Sequence, residues 1–243
     1  MSRLPRFFVD EKLEAGKECR LSPGESHHAV EVLRLGENGG IVVFDGRGGR
    51  SEAMIVKADR RETRIRLGIP ESEPGPAPRL GLAVAIPKGR RWQNLVEKCT
   101  ELGVDRIIPL LAERSVSRGE GDASRWRRWS LEAAKQCLRC ALPEISGPVE
   151  LPKLLEREKK REEALFLADR EGKNPSFFGD RLANAGEILF LIGPEGGFTP
   201  AEAEACRNAG AVGMRLSPHV LRIETAAAAA AITGRAFTPD AGG

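Results

Sequence analysis

The hydrophobic positions of this chain follow two rhythms, separated by a short proline-rich stretch. Before that stretch the apolar runs are short: Arg6–Val9, Ile41–Phe44, Ser51–Val56 and Thr63–Ile69 read as strands. Between the first two, Ser22-Pro23-Gly24-Glu25 has the form of a helix start. A hydroxyl cap is followed by proline in the first turn and a carboxylate three residues on, which predicts a short helix reaching Leu35. The glycine-rich Asp45–Gly49 resembles a nucleotide-binding loop, but a strand follows it, so a hairpin turn is the better reading. After the stretch, strands alternate with helices. Leu80–Ile86 is a continuous apolar run, as expected of a strand covered on both faces. Arg90–Leu102 has helical periodicity and stops at Gly103, and Arg106–Leu111 is a strand. Ser124–Leu138 is a helix with Trp126, Trp129, Ala133 and Cys137 on one stripe. A charged helix, Leu151–Arg161, precedes strands at Ala164–Ala168 and Glu187–Ile192. Thr199-Pro200-Ala201-Glu202 is a capping box, Val212–Leu216 a last strand and Thr225–Phe237 a terminal helix.

Residues 71–78, Glu-Ser-Glu-Pro-Gly-Pro-Ala-Pro, carry three prolines and a glycine, which oppose helix and strand pairing alike. They are expected to link a small, mostly β domain over residues 1–70 to an α/β domain with a mostly parallel sheet over residues 79–243. A length of 243 residues suits two modest domains. Cys19, Cys99, Cys137, Cys140 and Cys206 are odd in number with no framework spacing, which favours a reducing compartment. The start has no apolar leader region and no run reaches the length of a membrane span, so a soluble, cytoplasmic protein is expected. Cys137-x-x-Cys140 lacks a second pair and reads as packing, so no metal is expected.

The net charge of +3 excludes little, but its distribution is informative. Residues 79–143 hold 13 Lys/Arg against 7 Asp/Glu, including Arg125-Trp126-Arg127-Arg128-Trp129. Such a surface attracts polyphosphate, although one isolated cluster is equally a solvated helix face. The spacing of Trp126 and Trp129 favours core packing over base stacking.

In open α/β sheets, ligands bind beyond the carboxyl ends of the strands. Two segments fall there. Gly193-Pro194-Glu195-Gly196-Gly197-Phe198-Thr199 runs from a buried strand into a capped helix, with glycines that let a ligand touch backbone. Leu216-Ser217-Pro218-His219-Val220-Leu221-Arg222-Ile223-Glu224-Thr225 is a second strand-to-helix bend. Either alone is equally a tight connection. Neither a phosphate-binding Gly-Lys-Ser/Thr nor a G-x-G-x-x-G fingerprint is present.

Ile192–Thr199 with Glu202, followed by Leu221-Arg222-Ile223-Glu224-Thr225-Ala226, resembles the 16S ribosomal RNA (uracil-N3)-methyltransferase family of the SPOUT superfamily. Pro5-Arg6-Phe7-Phe8, His27 and Val32-Leu33-Arg34 resemble that family's N-terminal domain. Ile86-Pro87-Lys88, Lys98–Val104, Arg114-Ser115, Glu132-Ala133, Gln136, Arg139 and Pro143 resemble the front of its catalytic domain. The resemblance covers nearly the whole chain. It implies a SPOUT-type α/β C-terminal domain tied in a trefoil knot, a PUA-like RNA-binding N-terminal domain and a homodimer. It also implies S-adenosylmethionine as methyl donor and, as substrate, N3 of a uridine in 16S rRNA of the small ribosomal subunit.

Carried onto this chain, the resemblance places the donor against Leu191, Gly193, Gly196 and Gly197, and against Leu216, Pro218, Leu221 and Arg222. Arg222 is then the candidate for stabilising the N3 anion, although it can equally pair with Glu224 or with a partner subunit. Glu224 and His219 are candidates for accepting the proton, and water is the alternative if the base is sufficiently acidified. Arg6, His27, Arg34, Lys88, Arg91 and Arg139 would grip RNA, though each alone is equally a surface charge. A carboxylate at the sulfonium would stabilise the ground state, so Glu195 is assigned to the turn itself. Three positions depart from the family pattern: Ser217 replaces a common Gly, His219 an Arg and Ile223 a Thr. The competing readings are a non-catalytic RNA-binding or assembly factor, and a SPOUT enzyme acting on transfer RNA or on ribose.

Overall fold

The computed structural model describes residues 4–73, 75–116, 122–158 and 163–237. The chain divides into two compact units, residues 1–75 with 134–142, and residues 76–133 with 143–243.

The first unit contains β1 (Arg6–Phe8), β2 (Glu18–Arg20), α1 (Pro23–His27), β3 (Gly40–Phe44), β4 (Gly49–Lys57), β5 (Arg64–Leu67) and β6 (Glu71–Ser72). The sheet order is β1-β3-β4-β5-β2, with β6 also on β4, and only the β1–β3 pair is parallel. In β4, Ser51, Ala53 and Ile55 are buried while Glu52 and Met54 are exposed, the period of two expected of a one-sided strand. Phe7, Ile41, Val43, Ile55 and Ile65 fill the core beneath it. Asp45 closes the β3–β4 hairpin by accepting from the Arg47 N–H at 2.7 Å and the Gly49 N–H at 2.9 Å.

The helix expected to reach Leu35 is α-helical only to His27, where Ser22 Oγ accepts from the Glu25 N–H. It then widens into a π turn, His28–Val32, and ends with Arg34 at φ 54°. The β-branched Val30 and Val32 and the Gly-Glu-Asn-Gly-Gly run that follows weaken any longer helix. Strand β6 corrects the reading of residues 71–78 as unpaired: Glu71 and Ser72 precede the prolines, pair with Gly49 and Arg50, and Arg50 holds Glu71 at 2.7 Å. Residues 134–142 belong here through the Gly48 N–H, which donates to the Cys140 carbonyl at 3.2 Å, and through the nearly buried Lys135–Glu25 pair at 2.7 Å.

The second unit contains β7 (Arg79–Ala85), α2 (Arg91–Glu101), β8 (Arg106–Leu111), α3 (Ala123–Cys137, its last turn counted with the first unit), β9 (Glu144–Ile145), β10 (Val149–Glu150) and α4 (Leu151–Glu158). There follow β11 (Glu163–Lys173), a 3-10 turn (Pro175–Phe178), α5 (Gly179–Ala183), β12 (Glu187–Ile192), α6 (Pro200–Asn208), β13 (Val212–Met214) and α7 (Ile223–Ala236). The sheet is parallel throughout in the order β10-β8-β7-β12-β11-β13, with β9 also on β8. Strands β7, β8 and β12 read as nearly unbroken apolar runs because both faces are covered. Leu80, Leu82, Phe166, Ile188 and Phe190 pack with Leu95, Val96, Ala227 and Ala231 of α2 and α7. On the other face Ala83, Leu165, Leu167, Leu189 and Leu191 pack with Leu154 of α4 and Cys206 of α6.

Helix α7 lies close to the sheet because Gly234 leaves room for Leu80, whose Cδ1 would stand 2.7 Å from an added Cβ. Trp126 is buried edge-to-face against Trp92 at 5.5 Å, and Trp129 packs half-buried against the same core. Buried Arg106 joins three elements by donating to Glu187 at 2.5 Å and Glu158 at 3.2 Å. The charged helix ends at Glu158 among the described residues, and the rest of its expected span, residues 159–161, lies outside them.

The strand expected over Ala164–Ala168 runs on to Lys173 across an irregularity. Its charged second half carries no apolar alternation. It is held by pairing with β13, where Gly172 passes so close to Gly213 that an added Cβ would lie 2.5 Å from backbone.

Candidate active site

A cavity of about 410 Å³ opens at the carboxyl ends of β12 and β13, beside the middle of β11. The sheet order decides this, since the bends after β12 and β13 flank β11. Both sequence-predicted bends line this one cavity.

The first bend is fixed from outside. Thr199 Oγ1 accepts from the Glu202 N–H at 3.2 Å and Glu202 accepts from the Thr199 N–H at 2.9 Å, closing the capping box of α6. The other Glu202 oxygen accepts from the Glu113 N–H at 2.7 Å. Arg114 donates to the Gly196 carbonyl at 2.8 Å, and Arg91 pairs with Glu195 at 3.1 Å. The Gly197 N–H donates to the Pro194 carbonyl at 2.8 Å, and Gly197 takes φ 69°, a conformation that L side chains rarely adopt. Among the described residues, the N–H groups of Glu195, Gly196 and Phe198 donate to no protein acceptor.

The second bend supplies an apolar wall of Leu216, Leu221, Ile223 and Ala226, together with His219. Ser217 Oγ accepts from the His219 N–H at 3.1 Å, so the hydroxyl closes the turn it stands in. The third wall, missed from sequence, is Ala168-Asp169-Arg170 in the middle of β11, where its pairing with β13 becomes irregular. Asp169 accepts from the Glu171 N–H at 3.0 Å and from Arg207 at 3.3 Å, while Arg170 is exposed. Glycine backbone, open amides and an apolar wall in a cleft of this size suit a flat, nucleoside-sized ligand.

The sequence profile of an RNA methyltransferase domain matches residues 74–233, well over half of the chain. The chain belongs to the RNA methyltransferase family. A second profile, the RNA methyltransferase PUA domain, matches residues 21–67 within the mostly β unit. Ribosomal RNA small subunit methyltransferase E of Mycobacterium bovis is 32% identical over 231 residues, 92% of this chain and 88% of its own length. Its counterpart in Bacillus subtilis is 27% identical over 238 residues, 92% and 93% of the two chains. The crystal structure of ribosomal RNA small subunit methyltransferase E from Neisseria gonorrhoeae bound to S-adenosyl methionine has a TM-score of 0.87 at 27% identity, covering 99% of this chain and all of that one. A methyltransferase from Legionella pneumophila in complex with the same cofactor has a TM-score of 0.84 at 29% identity, covering 97% and 98%.

Within this RNA methyltransferase, Gly193, Gly196, Gly197, Leu216 and Leu221 line the cavity, but Leu191, Pro218 and Arg222 do not. Leu191 is fully buried in the sheet opposite Ala83 and Leu167, and Pro218 is exposed. Arg222 caps α7 with extended backbone, and its exposed side chain has no partner among the described residues. The alternative pairing of Arg222 with Glu224 is therefore not formed. Glu224 stands in the first turn of α7 with Oε2 buried and without a hydrogen-bond partner, and it does not line the cavity.

Of the six cations expected to grip RNA, Arg6 and Arg91 are engaged within the protein as follows. Arg6 donates to the Arg139 carbonyl and to Cys140 Sγ, both at 3.3 Å, and lies 4.9 Å over the Phe44 ring. Arg91 holds Glu195. His27, Arg34 and Lys88 are exposed and Arg139 is half-buried. Burial pushes the Cys99 thiol up to about 12 and the Cys206 thiol up to about 11. Among the described residues no His/Cys/Asp/Glu cluster could hold a metal ion, and no helix is long and apolar enough to cross a membrane.

Proposed function

We propose that this enzyme moves the methyl group of S-adenosylmethionine onto N3 of a uridine in 16S rRNA of the small ribosomal subunit. The observation that carries the reading is the meeting of the two bends around one glycine-floored, apolar-walled cavity. Full-length similarity to proteins named for small-subunit rRNA methylation, and to structures bound to S-adenosyl methionine, supports it.

The residues present fit the donor. Leu216, Leu221, Ile223 and Ala226 offer an apolar face to adenine, and the unpaired amides of Glu195, Gly196 and Phe198 are donors for its polar atoms. Gly193, Gly196 and Gly197 keep side chains out of that space. When bound, the donor supplies an electrophilic methyl group on a sulfonium. Uracil N3 carries a proton, so this chain must favour its loss and stabilise the anion left behind. The unpartnered Arg222 guanidinium, carried between two cavity-lining residues, supplies the positive charge. Of the two candidate proton acceptors, His219 faces the cavity and Glu224 does not, which favours His219.

His27 and Arg34 of the PUA-bearing unit and Lys88 of the α/β unit remain open to RNA phosphate. The outer face of α7, with Ile232 57% exposed among alanines, and Val220, 69% exposed in the bend before it, support a homodimer. Family membership supports the trefoil knot, and its ribosomal substrate supports a cytoplasmic location. Calorimetric titration with S-adenosylmethionine, followed by labelled-methyl incorporation into under-methylated small subunits, tests the whole reading. Saturable binding and incorporation are expected; binding without incorporation would leave a non-catalytic RNA-binding factor.

A further inference from the structure

The end of β11 leads directly from the cavity to an exposed aromatic ring. Arg215 lines the cavity, its N–H donates to the Lys173 carbonyl at 2.8 Å, and its guanidinium holds Asn174 Oδ1 at 3.0 and 3.2 Å. Lys173 in turn places its ammonium 3.6 Å from the centroid of the Phe177 ring. That ring is 63% exposed. Its other fixed contact is the buried Phe178, edge-to-face at 5.2 Å and 83°. A scattered exposed apolar side chain on a protein surface needs no explanation. This one touches a cation and an aromatic neighbour, and it is connected by hydrogen bonds to the rim of the site.

Residues 169–181, which carry the ring, hold three cations and three acids, and one of the acids is taken up by Arg207 from outside the segment. Arg170 lines the cavity and, like Lys173, makes no ion pair among the described residues. Arg181 lies 5.5 Å over Phe166 and donates to the Gly210 carbonyl. The nearby acids are Asp169, already bound to Arg207, together with Glu171 and Asp180. Cations interleaved with a presented aromatic face form the usual surface for a single nucleic-acid strand, in which a base stacks and the flanking phosphates meet the charges.

We propose that Phe177 is a stacking platform for an unpaired RNA base beside the target nucleotide, with Lys173 and Arg170 gripping the adjoining phosphates. This rests on the reading of the cavity as the methyl-transfer site, but its test does not need methyl transfer. Fluorescence anisotropy with labelled oligouridine measures the strand directly, and calorimetry with S-adenosylmethionine monitors the cavity. Phe177→Ala is expected to weaken oligouridine binding by about 5- to 100-fold, and Phe177→Trp to retain it. Lys173→Gln is expected to lower the slope of log affinity against log salt by about one contact. Donor affinity should stay at the wild-type value in all three. Oligouridine affinity and salt slope equal to wild type in both Phe177→Ala and Lys173→Gln overturn the proposal even if the enzyme methylates small subunits. So does docking to small subunits with no measurable binding of oligouridine by the wild-type protein, which points instead to a protein partner.

Discussion

Gly197 separates the demands of the fold from those of the ligand. Its φ of 69° costs an L-residue about 1–2 kcal/mol. An added Cβ would meet nothing within 4 Å, so for Gly197→Ala that strain is the whole penalty. For a domain of this size, a loss of that order lowers Tm by roughly 2–8 °C. Gly197→Glu carries the same strain, but its side chain extends from a residue that forms the cavity wall. Donor affinity should then fall by about 100-fold or more, which is about 2.7 kcal/mol of binding. Gly196 provides the control, because its Cβ would make only an ordinary 3.5 Å contact with Arg114 Cδ and its backbone is not left-handed. Gly196→Ala should therefore keep the wild-type Tm. Scanning calorimetry gives the Tm values and titration calorimetry the affinities. If Gly197→Glu melts like Gly197→Ala yet binds donor like wild type, the cavity has been misassigned.

Arg222→Ala should leave Tm unchanged, since the side chain is exposed and unpartnered, while kcat falls about 100-fold or more; a wild-type kcat removes Arg222 from the chemistry. Arg106→Leu leaves buried Glu158 and neighbouring Glu187 without their cation and should cost about 3–5 kcal/mol in a denaturant titration; a loss below about 1 kcal/mol would show that the triad adds little. Thr199→Ala removes one half of the α6 capping box and should cost about 0.5–2 kcal/mol, with a parallel loss of donor affinity because the bend ends there. Burial holds the Cys99 thiol at about 12, above the unfolded value, so the folded chain keeps a proton that the unfolded chain releases. Stability should therefore be undiminished below about pH 8.5 and fall above it by roughly 1.4 kcal/mol per pH unit from this thiol. Cys99→Ala should flatten that slope in unfolding measured across the alkaline range, and an unchanged slope would place the titrating group elsewhere.

The sequence was most legible where burial on both faces wrote itself as uninterrupted apolar runs, as in Leu80–Ile86 and Glu187–Ile192, and where caps mark a boundary, as at Thr199. It was least legible where the determinant is spatial. Nothing in a one-dimensional pattern says that β11 lies between β12 and β13, so Asp169 and Arg170 escaped notice although they stand between the two recognised bends. Leu191 shows the complementary limit: in a strand covered on both faces, alternation cannot distinguish a core position from a wall position. Arg6 and Arg91 looked like free cations because their partners, the Arg139 carbonyl and Glu195, are 133 and about 100 residues away in sequence. Strands β6, β9 and β10 are two residues each, too short for any periodicity to register.

Mass spectrometry of 16S rRNA, digested from under-methylated small subunits after incubation with this protein and S-adenosylmethionine, addresses the proposed reaction most directly. A single uridine should gain one methyl group at N3, and the gain should vanish when donor is withheld or Arg222 is replaced by Ala. Methylation on ribose, on another base, or nowhere at all despite saturable donor binding would contradict the assignment.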